Sequence, residues 1–220
     1  MTAQPTLSSH GAEIPIAGFG TSPLTGDVTP ENVATALRVG YRHLDTGRKY
    51  GTERATGEGM RASGLPRKDI FLTTKVSHEN LRAADFARSV DESLKALNVD
   101  YIDLLLVHWP SLTIPLAETM QALAKAKREG LARHIGVANF RISLIDEALV
   151  SAETAATEGG DRDVAALLPR LREAAATGRR ALDDFVLHLE RRILPIAEGD
   201  GRLGPERFAA KLRRNLKGAA

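Results

Sequence analysis

The sequence predicts an α/β chain: a parallel sheet of about five strand–helix units wound towards a barrel, followed by a helical tail. Three observations carry this. Short apolar runs alternate with stretches of helical period from residue 16 to residue 150, the pattern of parallel strands joined by crossover helices. The runs are nearly continuous, as in Leu104-Leu105-Leu106-Val107, which suits a sheet covered on both faces. No Gly-x-Gly-x-x-Gly follows a predicted strand and no Gly-x-x-x-x-Gly-Lys occurs. The glycine fingerprints of doubly wound nucleotide-binding sheets are therefore absent, and a barrel is preferred.

Residues 1–15 are polar with a turn at His10-Gly11, and predict a short hairpin or arm. Residues 16–20, apolar and glycine-bounded, predict a first buried strand. Thr29-Pro30-Glu31 opens a helix, with Thr at the N-cap, Pro at the first helical position and an acid in the first turn; Gly40 ends it. Residues 42–44 are a strand leading to Asp45, and residues 53–63 a helix closed by Gly64. Residues 70–76 are the third strand. In the helix over 81–97, Phe86, Val90, Leu94 and Leu97 recur at spacings of 3 and 4. Residues 101–107 are the fourth strand. The helix over 116–129 turns Met120, Leu123, Ala124 and Lys127 to one face, residues 135–139 are the fifth strand, and residues 142–150 begin a further helix.

The tail differs in kind. Residues 151–160 form a linker, and residues 161–220 contain no apolar run that predicts a strand. From Val164 a stripe through Leu168, Leu171, Ala175, Leu182, Phe185, Leu189, Ile193 and Ile196 predicts one long amphipathic helix, softened at Gly178. Pro205-Glu206 opens a short basic helix. The domain plan is thus 1–150, a linker 151–160 and a helical tail 161–220.

Composition excludes several classes. A net charge of +2 makes no case for nucleic acid. No apolar run approaches the roughly 18 residues of a membrane span, and the N-terminus lacks the basic and apolar regions of a signal peptide. The absence of cysteine excludes disulfides and thiolate metal sites and suits a cytoplasmic location. His78-Glu79-Asn80-Leu81-Arg82 begins like a zinc-binding His-Glu-x-x-His but has Arg at the fifth position, so no metal is expected.

Chemistry gathers between Tyr41 and His108. Asp45, Lys75 and His108 each stand at the end of a predicted strand, and Tyr50 lies in the loop five residues after Asp45. Singly, each has an ordinary structural explanation. In order, at three successive strand ends, they form a pattern. An ammonium beside a phenol favours the phenolate, a carboxylate holds the ammonium, and an imidazole can orient a carbonyl. Together they can protonate a carbonyl oxygen as hydride reaches its carbon.

The stretches GFGTSPLTG, GYRHLDTGRKYGTE, SGLPRKDIFLTTKV, SLKALNVDYIDLLLVHWP and REGLARHIGVANF resemble the N-terminal part of the aldo-keto reductases, over residues 14–150. The likeness is strongest to the small bacterial members similar to didehydrogluconate and methylglyoxal reductases. It implies a (β/α)8 TIM-type barrel that reduces a small aldehyde or ketone with NADP(H). It casts Tyr50 as proton donor, Lys75 and Asp45 as the groups that tune it, and His108 as the residue that orients the carbonyl. Thr21, Asp45 and Asn139 would meet the cofactor, and Phe19, His108 and Trp109 the substrate. Gly47, Thr52 and Ala138 stand where the family usually has Ala, Asn and Ser.

The resemblance also implies what should follow residue 150: three more strand–helix units, a Gln on the next strand, an aromatic stacked on the nicotinamide and a basic loop for the 2′-phosphate. Residues 151–220 contain no Gln, Tyr or Trp. The barrel is therefore expected to be incomplete and NADP(H) binding weak. Residues 160–217 are similar instead to a fragment of a helical bacterial family known as domain of unknown function 885. Two rival readings stay open: a non-catalytic scaffold that self-associates through open barrel edges, and a remnant of a gene fusion without function.

Overall fold

The computed structural model describes residues 4–9, 11–22, 28–141, 143–148 and 150, and beyond these 173, 176–177, 180–181 and 183–193. The chain forms two compact units, residues 1–140 and residues 141–220.

The first unit opens with an antiparallel hairpin of β1 (Thr6–Ser9) and β2 (Ala12–Pro15), turned at Gly11 with φ +81°. Gln4 fastens it to the sheet: its Nε2 donates to the carbonyl of Ala17 at 2.8 Å and its Oε1 accepts from Arg42 N at 3.1 Å. The hairpin therefore sits at the N-terminal end of the parallel strands.

Five strands follow: β3 (Gly18–Gly20), β4 (His43–Asp45), β5 (Phe71–Val76), β6 (Ile102–Val107) and β7 (Ala132–Val137). They pair parallel in sequence order, β3-β4-β5-β6-β7. The crossovers carry α1 (Pro30–Arg38), α2 (Glu53–Ala62), α3 (Ala83–Leu97) and α4 (Leu116–Arg128). A doubly wound sheet reverses direction at a switch point. This sheet advances strand by strand without reversing, as a barrel does. The start of α1 is the one the sequence predicts: Thr29 Oγ1 accepts from Asn32 N at 3.2 Å, and Asn32 Oδ1 accepts from Thr29 N at 3.0 Å, a reciprocal cap.

Register separates the two faces of the sheet. Gly20, Asp45 and Thr73 are partners across β3, β4 and β5; Lys75, Leu106 and Gly136 are partners across β5, β6 and β7. These share the interior face. The alternate residues Leu44, Leu72, Leu105 and Val107 are buried under the helices. There Val33, Leu37, Met60 and Leu97 pack with Leu44 and Leu72, while Phe86, Val90, Leu123 and Ala126 pack with Leu105 and Val107.

Three expectations are corrected. Residues 16–20 are not a buried strand: Ile16 is 66% exposed, and β3, two-thirds glycine, has β4 as its strand neighbour among the described residues. Strand β7 starts at Ala132 rather than 135, because Arg133 and His134 break the apolar run that marks a strand in the sequence. Helix α4 buries Thr119, Ala122, Leu123 and Ala126, and leaves Lys127 exposed. The face is offset from the expected one: Leu123 is buried as expected and Met120 packs against the core from its edge, but Ala122 and Ala126 are buried where Ala124 and Lys127 were expected.

In the second unit, residues 143–148 and 150 are helical, as are the described residues between 173 and 188. Leu189–Ile193 is a widened, π-helical turn, with Phe185 52% exposed and Leu189 half-buried. The linker 151–160, the remaining stripe positions (Val164, Leu168, Leu171, Ala175, Leu182 and Ile196), Gly178 and the basic helix after Pro205 lie outside the described residues. No helix among the described residues is long and apolar enough to cross a membrane.

Helix α2 touches its neighbours through glycines. A Cβ on Gly57 would stand 2.2 Å from the carbonyl oxygen of Leu97, and one on Gly59 2.5 Å from that of Pro30. Alanine ordinarily favours a helix over glycine by about 1 kcal/mol. Here we predict the opposite sign. Gly57→Ala should lower stability by about 1–3 kcal/mol through overpacking against backbone, measured as a lower urea midpoint at unchanged m-value.

Candidate functional site

The C-terminal ends of β4, β5 and β6 place the site. Asp45 is the last residue of β4, Lys75 the penultimate residue of β5, and His108 directly follows β6, its N–H bonded to the Val76 carbonyl at 2.9 Å. Tyr50 closes a 3-10 turn, Arg48–Tyr50, held by Tyr50 N to Gly47 O at 2.9 Å and ended by Gly51 at φ +71°.

Lys75 is the centre. It is 7% exposed, and its Nζ donates to the Asp45 carboxylate and, at 2.9 Å, to the Thr46 carbonyl. The same nitrogen lies 5.0 Å from the centre of the Tyr50 ring, within cation–π range. The Tyr50 hydroxyl is 3.4 Å from His108 Nε2, and the two rings meet edge to face at 5.4 Å. That hydroxyl contact is long for a hydrogen bond, as contacts in unliganded sites often are.

Burial, reinforced by the Lys75 charge, holds the His108 imidazole below its ordinary range, so it is neutral at pH 7 and carries one N–H. Nδ1 is buried without a partner among the described residues. The proton is therefore best placed on Nε2, which has the Tyr50 oxygen beside it.

Asn139 adjoins this group. It takes the left-handed conformation at φ +61°, and its Nδ2 donates to the His108 carbonyl at 2.7 Å. Its Oδ1 is left as an acceptor. Trp109 is 50% exposed, 6.4 Å from the His108 ring. The structure thus brings Asp45, Tyr50, Lys75 and His108 together, with Asn139 and Trp109 beside them.

Two expected residues are not on the open face. Phe19 alternates with the interior-facing Gly18 and Gly20, pairs with the helix-facing Leu44, and packs on the core and, at 6.1 Å, on Tyr41. Thr21 is fully buried, its hydroxyl 3.0 Å from that of Thr52, which in turn lies 3.2 Å from that of Thr46. The threonine at 52 thus closes a hydroxyl cluster beneath Asp45. Ala138 continues the ladder through its N–H to Val107 O at 2.8 Å. A Cβ at Gly47 would come within 3.2 Å of the Tyr50 ring, so glycine there lets the ring sit closer to its own turn than alanine would.

Sequence reasoning missed the supports. The Thr46 carbonyl carries no side-chain signal at all. Glu53 looks like an ordinary first-turn helix acid, but it is 3% exposed and accepts from Thr74 Oγ1 at 2.7 Å. Its burial is visible only in the fold.

The imidazoles give a pH prediction. His43, His108 and His134 are all held below the ordinary value of 6.5, chiefly by burial. The unfolded chain then binds protons that the folded chain does not, so stability is full above about pH 6.5 and falls as pH drops through the folded values. Imidazole NMR should place the His108 midpoint below 6.5. Lys75→Met should raise it, since that removes one cation and leaves the Asp45 carboxylate unpaired nearby.

The sequence pattern of the aldo/keto reductase family matches residues 17–160. The chain is 45% identical over 148 residues to the methylglyoxal reductase DkgB of Salmonella typhimurium, covering 66% of this chain and 55% of that protein. Among solved structures, the Bombyx mori aldo-keto reductase in complex with NADP superposes with a TM-score of 0.64 at 31% identity, over 68% of this chain and 55% of that one. An aldo/keto reductase from Brucella melitensis gives 0.62 at 38% identity, over 67% and 58%. The chain spans about half the length of the curated relatives it matches.

Proposed function

This chain belongs to the aldo/keto reductase family, and from that premise we propose that its strand-end group protonates the oxygen of a small aldehyde or ketone during NADPH-dependent reduction. The observation that carries the reading is the convergence of Lys75, Tyr50 and His108. The ammonium lies 5.0 Å from the phenol ring and the phenol oxygen 3.4 Å from an imidazole nitrogen. A carbonyl oxygen seated between the Tyr50 hydroxyl and His108 Nε2 would receive a hydrogen bond from each. As the oxygen gains negative charge, Tyr50 gives up its proton, and the buried Lys75 cation stabilises the phenolate left behind. Asp45 and the Thr46 carbonyl keep that cation in place.

Bound NADPH would supply the hydride. The nicotinamide end suits the residues present: the Asn139 Oδ1 is an acceptor for a carboxamide N–H, because the Asn139 Nδ2 is already committed to the His108 carbonyl. The phosphate end is less well served. Three cations around the group, Arg48, Lys49 and Lys75, are all paired: with Glu53 and Glu92, with Glu79 at 2.6 Å, and with Asp45. None of these three is free to neutralise a 2′-phosphate. We therefore expect weak NADP(H) binding and slow turnover in this chain.

The activity named for the DkgB relatives makes methylglyoxal the first substrate to try. Titration followed by NADPH fluorescence should show weak, saturable binding. Any reduction of methylglyoxal should drop about 10²-fold or more in Tyr50→Phe. Reduction that survives Tyr50→Phe would remove the phenol from the mechanism, and a flat NADPH titration would leave the non-catalytic reading in its place.

A further inference from the structure

The turn that carries Tyr50 is held from behind by a buried carboxylate. Glu53, at the start of α2, is 3% exposed. Its Oε1 accepts from the Thr74 hydroxyl at 2.7 Å, and its Oε2 receives the Arg48 guanidinium at 3.4 Å. Thr74 immediately precedes Lys75 on β5, and the two point to opposite faces of the sheet. Arg48 opens the three-residue turn that Tyr50 closes. One carboxylate therefore grips both the strand that presents the ammonium and the turn that presents the phenol.

Arg48 extends the grip. The other terminal nitrogen of its guanidinium donates to Glu92 on α3, so the turn is tied to two helices through one planar fork. A lysine, a single point charge, holds two carboxylates less well. On the solvent side the neighbouring Lys49 pairs with Glu79 in the loop after β5 at 2.6 Å, but both partners are about half exposed, and such pairs hold geometry weakly.

We propose that Glu53 and Arg48 are a positioning pair for Tyr50, setting where the phenol stands relative to Lys75 and His108. Its catalytic consequence rests on the reading of Tyr50 as proton donor; the positioning itself does not. Glu53 touches no reacting atom. A buried carboxylate whose partners are one hydroxyl and one guanidinium is costly unless both stay in place. The Arg48 contact is thus a constraint on the turn, not an incidental surface pair.

The test uses the full chain labelled with 3-fluorotyrosine. Its three tyrosines, Tyr41, Tyr50 and Tyr101, are assigned by single Tyr→Phe variants. In Glu53→Gln and in Arg48→Gln the Tyr50 fluorine resonance should move towards that of the unfolded chain, while those of Tyr41 and Tyr101 stay fixed. Arg48→Lys should give an intermediate shift. Arg48 is one-third exposed, so its variants remain informative if Glu53→Gln does not fold. A Tyr50 resonance unmoved in folded Arg48→Gln, whatever happens to the melting temperature, overturns the proposal.

Where the unmodified chain reduces methylglyoxal, kcat should fall about 10²-fold, as for a misplacement of about 1 Å, at near-constant KM. Where it reduces nothing, the fluorine spectra still decide the positioning, and the reductase reading fails separately.

Discussion

A lysine inside a parallel sheet is the constraint on which this structure turns. Lys75 points into the interior between β4 and β6, almost without exposure. A buried cation is tolerated when it is paired and hydrogen-bonded, and is strongly unfavourable otherwise. Both conditions are met from one neighbour: the Asp45 side chain and the Thr46 backbone carbonyl, consecutive residues at the end of β4. The pairing of β4 with β5 therefore cannot slip by one residue. A slip would send Lys75 into the apolar helix-facing layer and Leu72 and Thr74 into the interior.

The layers beneath answer the same demand. Asp45 follows Leu44, which is anchored among Val33, Leu37, Met60 and Leu72. The chain after Asp45 is held by a cluster of threonine hydroxyls, Thr21, Thr46 and Thr52, each satisfied within the protein. Glycines at 57 and 59 let α2 come close enough for Glu53, at its first turn, to reach Thr74. Close helix packing, a buried carboxylate and a buried lysine thus belong to one chain of dependence. It runs from the helix layer through β5 to the interior face.

This explains what could be seen in the sequence. The strand–helix alternation is legible because covered parallel strands are apolar runs and three of α1–α4 are followed by a glycine, Gly40, Gly64 or Gly130, while α3 ends at left-handed Asn98; the sequence places the start of each of α1–α4 to within two residues. Asp45, Lys75 and His108 were legible because polar residues interrupt those runs at their C-terminal ends. The errors came where the local pattern carries less information than the packing. In β7 the polar pair Arg133 and His134 hid the start of the strand, although Ala132 already pairs with Ile102. In α4, hydropathy does not separate the buried Ala122 and Ala126 from the half-buried Met120 and Ala124. Phe19 packs on the core because in so short a strand the parity of one residue decides which face a side chain takes, and only the pairing with Leu44 fixes that parity. Glu53 was invisible since acids in a first helical turn are usually solvated.

Proton donation and hydride transfer make different demands on a sheet. In the proposed reaction the proton donor, its cation and the orienting imidazole come from three adjacent strands and the loop after one of them. Their geometry follows from nearest-neighbour register between Asp45 and His108. A nicotinamide must instead be held along its whole length, with its reactive carbon about 3–3.5 Å from the carbonyl. Of that second requirement, the chain just after β7 provides the nearest part: the Asn139 amide, pinned by the His108 carbonyl in a left-handed turn, its oxygen left to accept. The same bond that orients Asn139 also fixes the backbone of His108. A cofactor bound at Asn139 would therefore act directly on the residue proposed to orient the carbonyl, joining the hydride and proton sides through a single hydrogen bond.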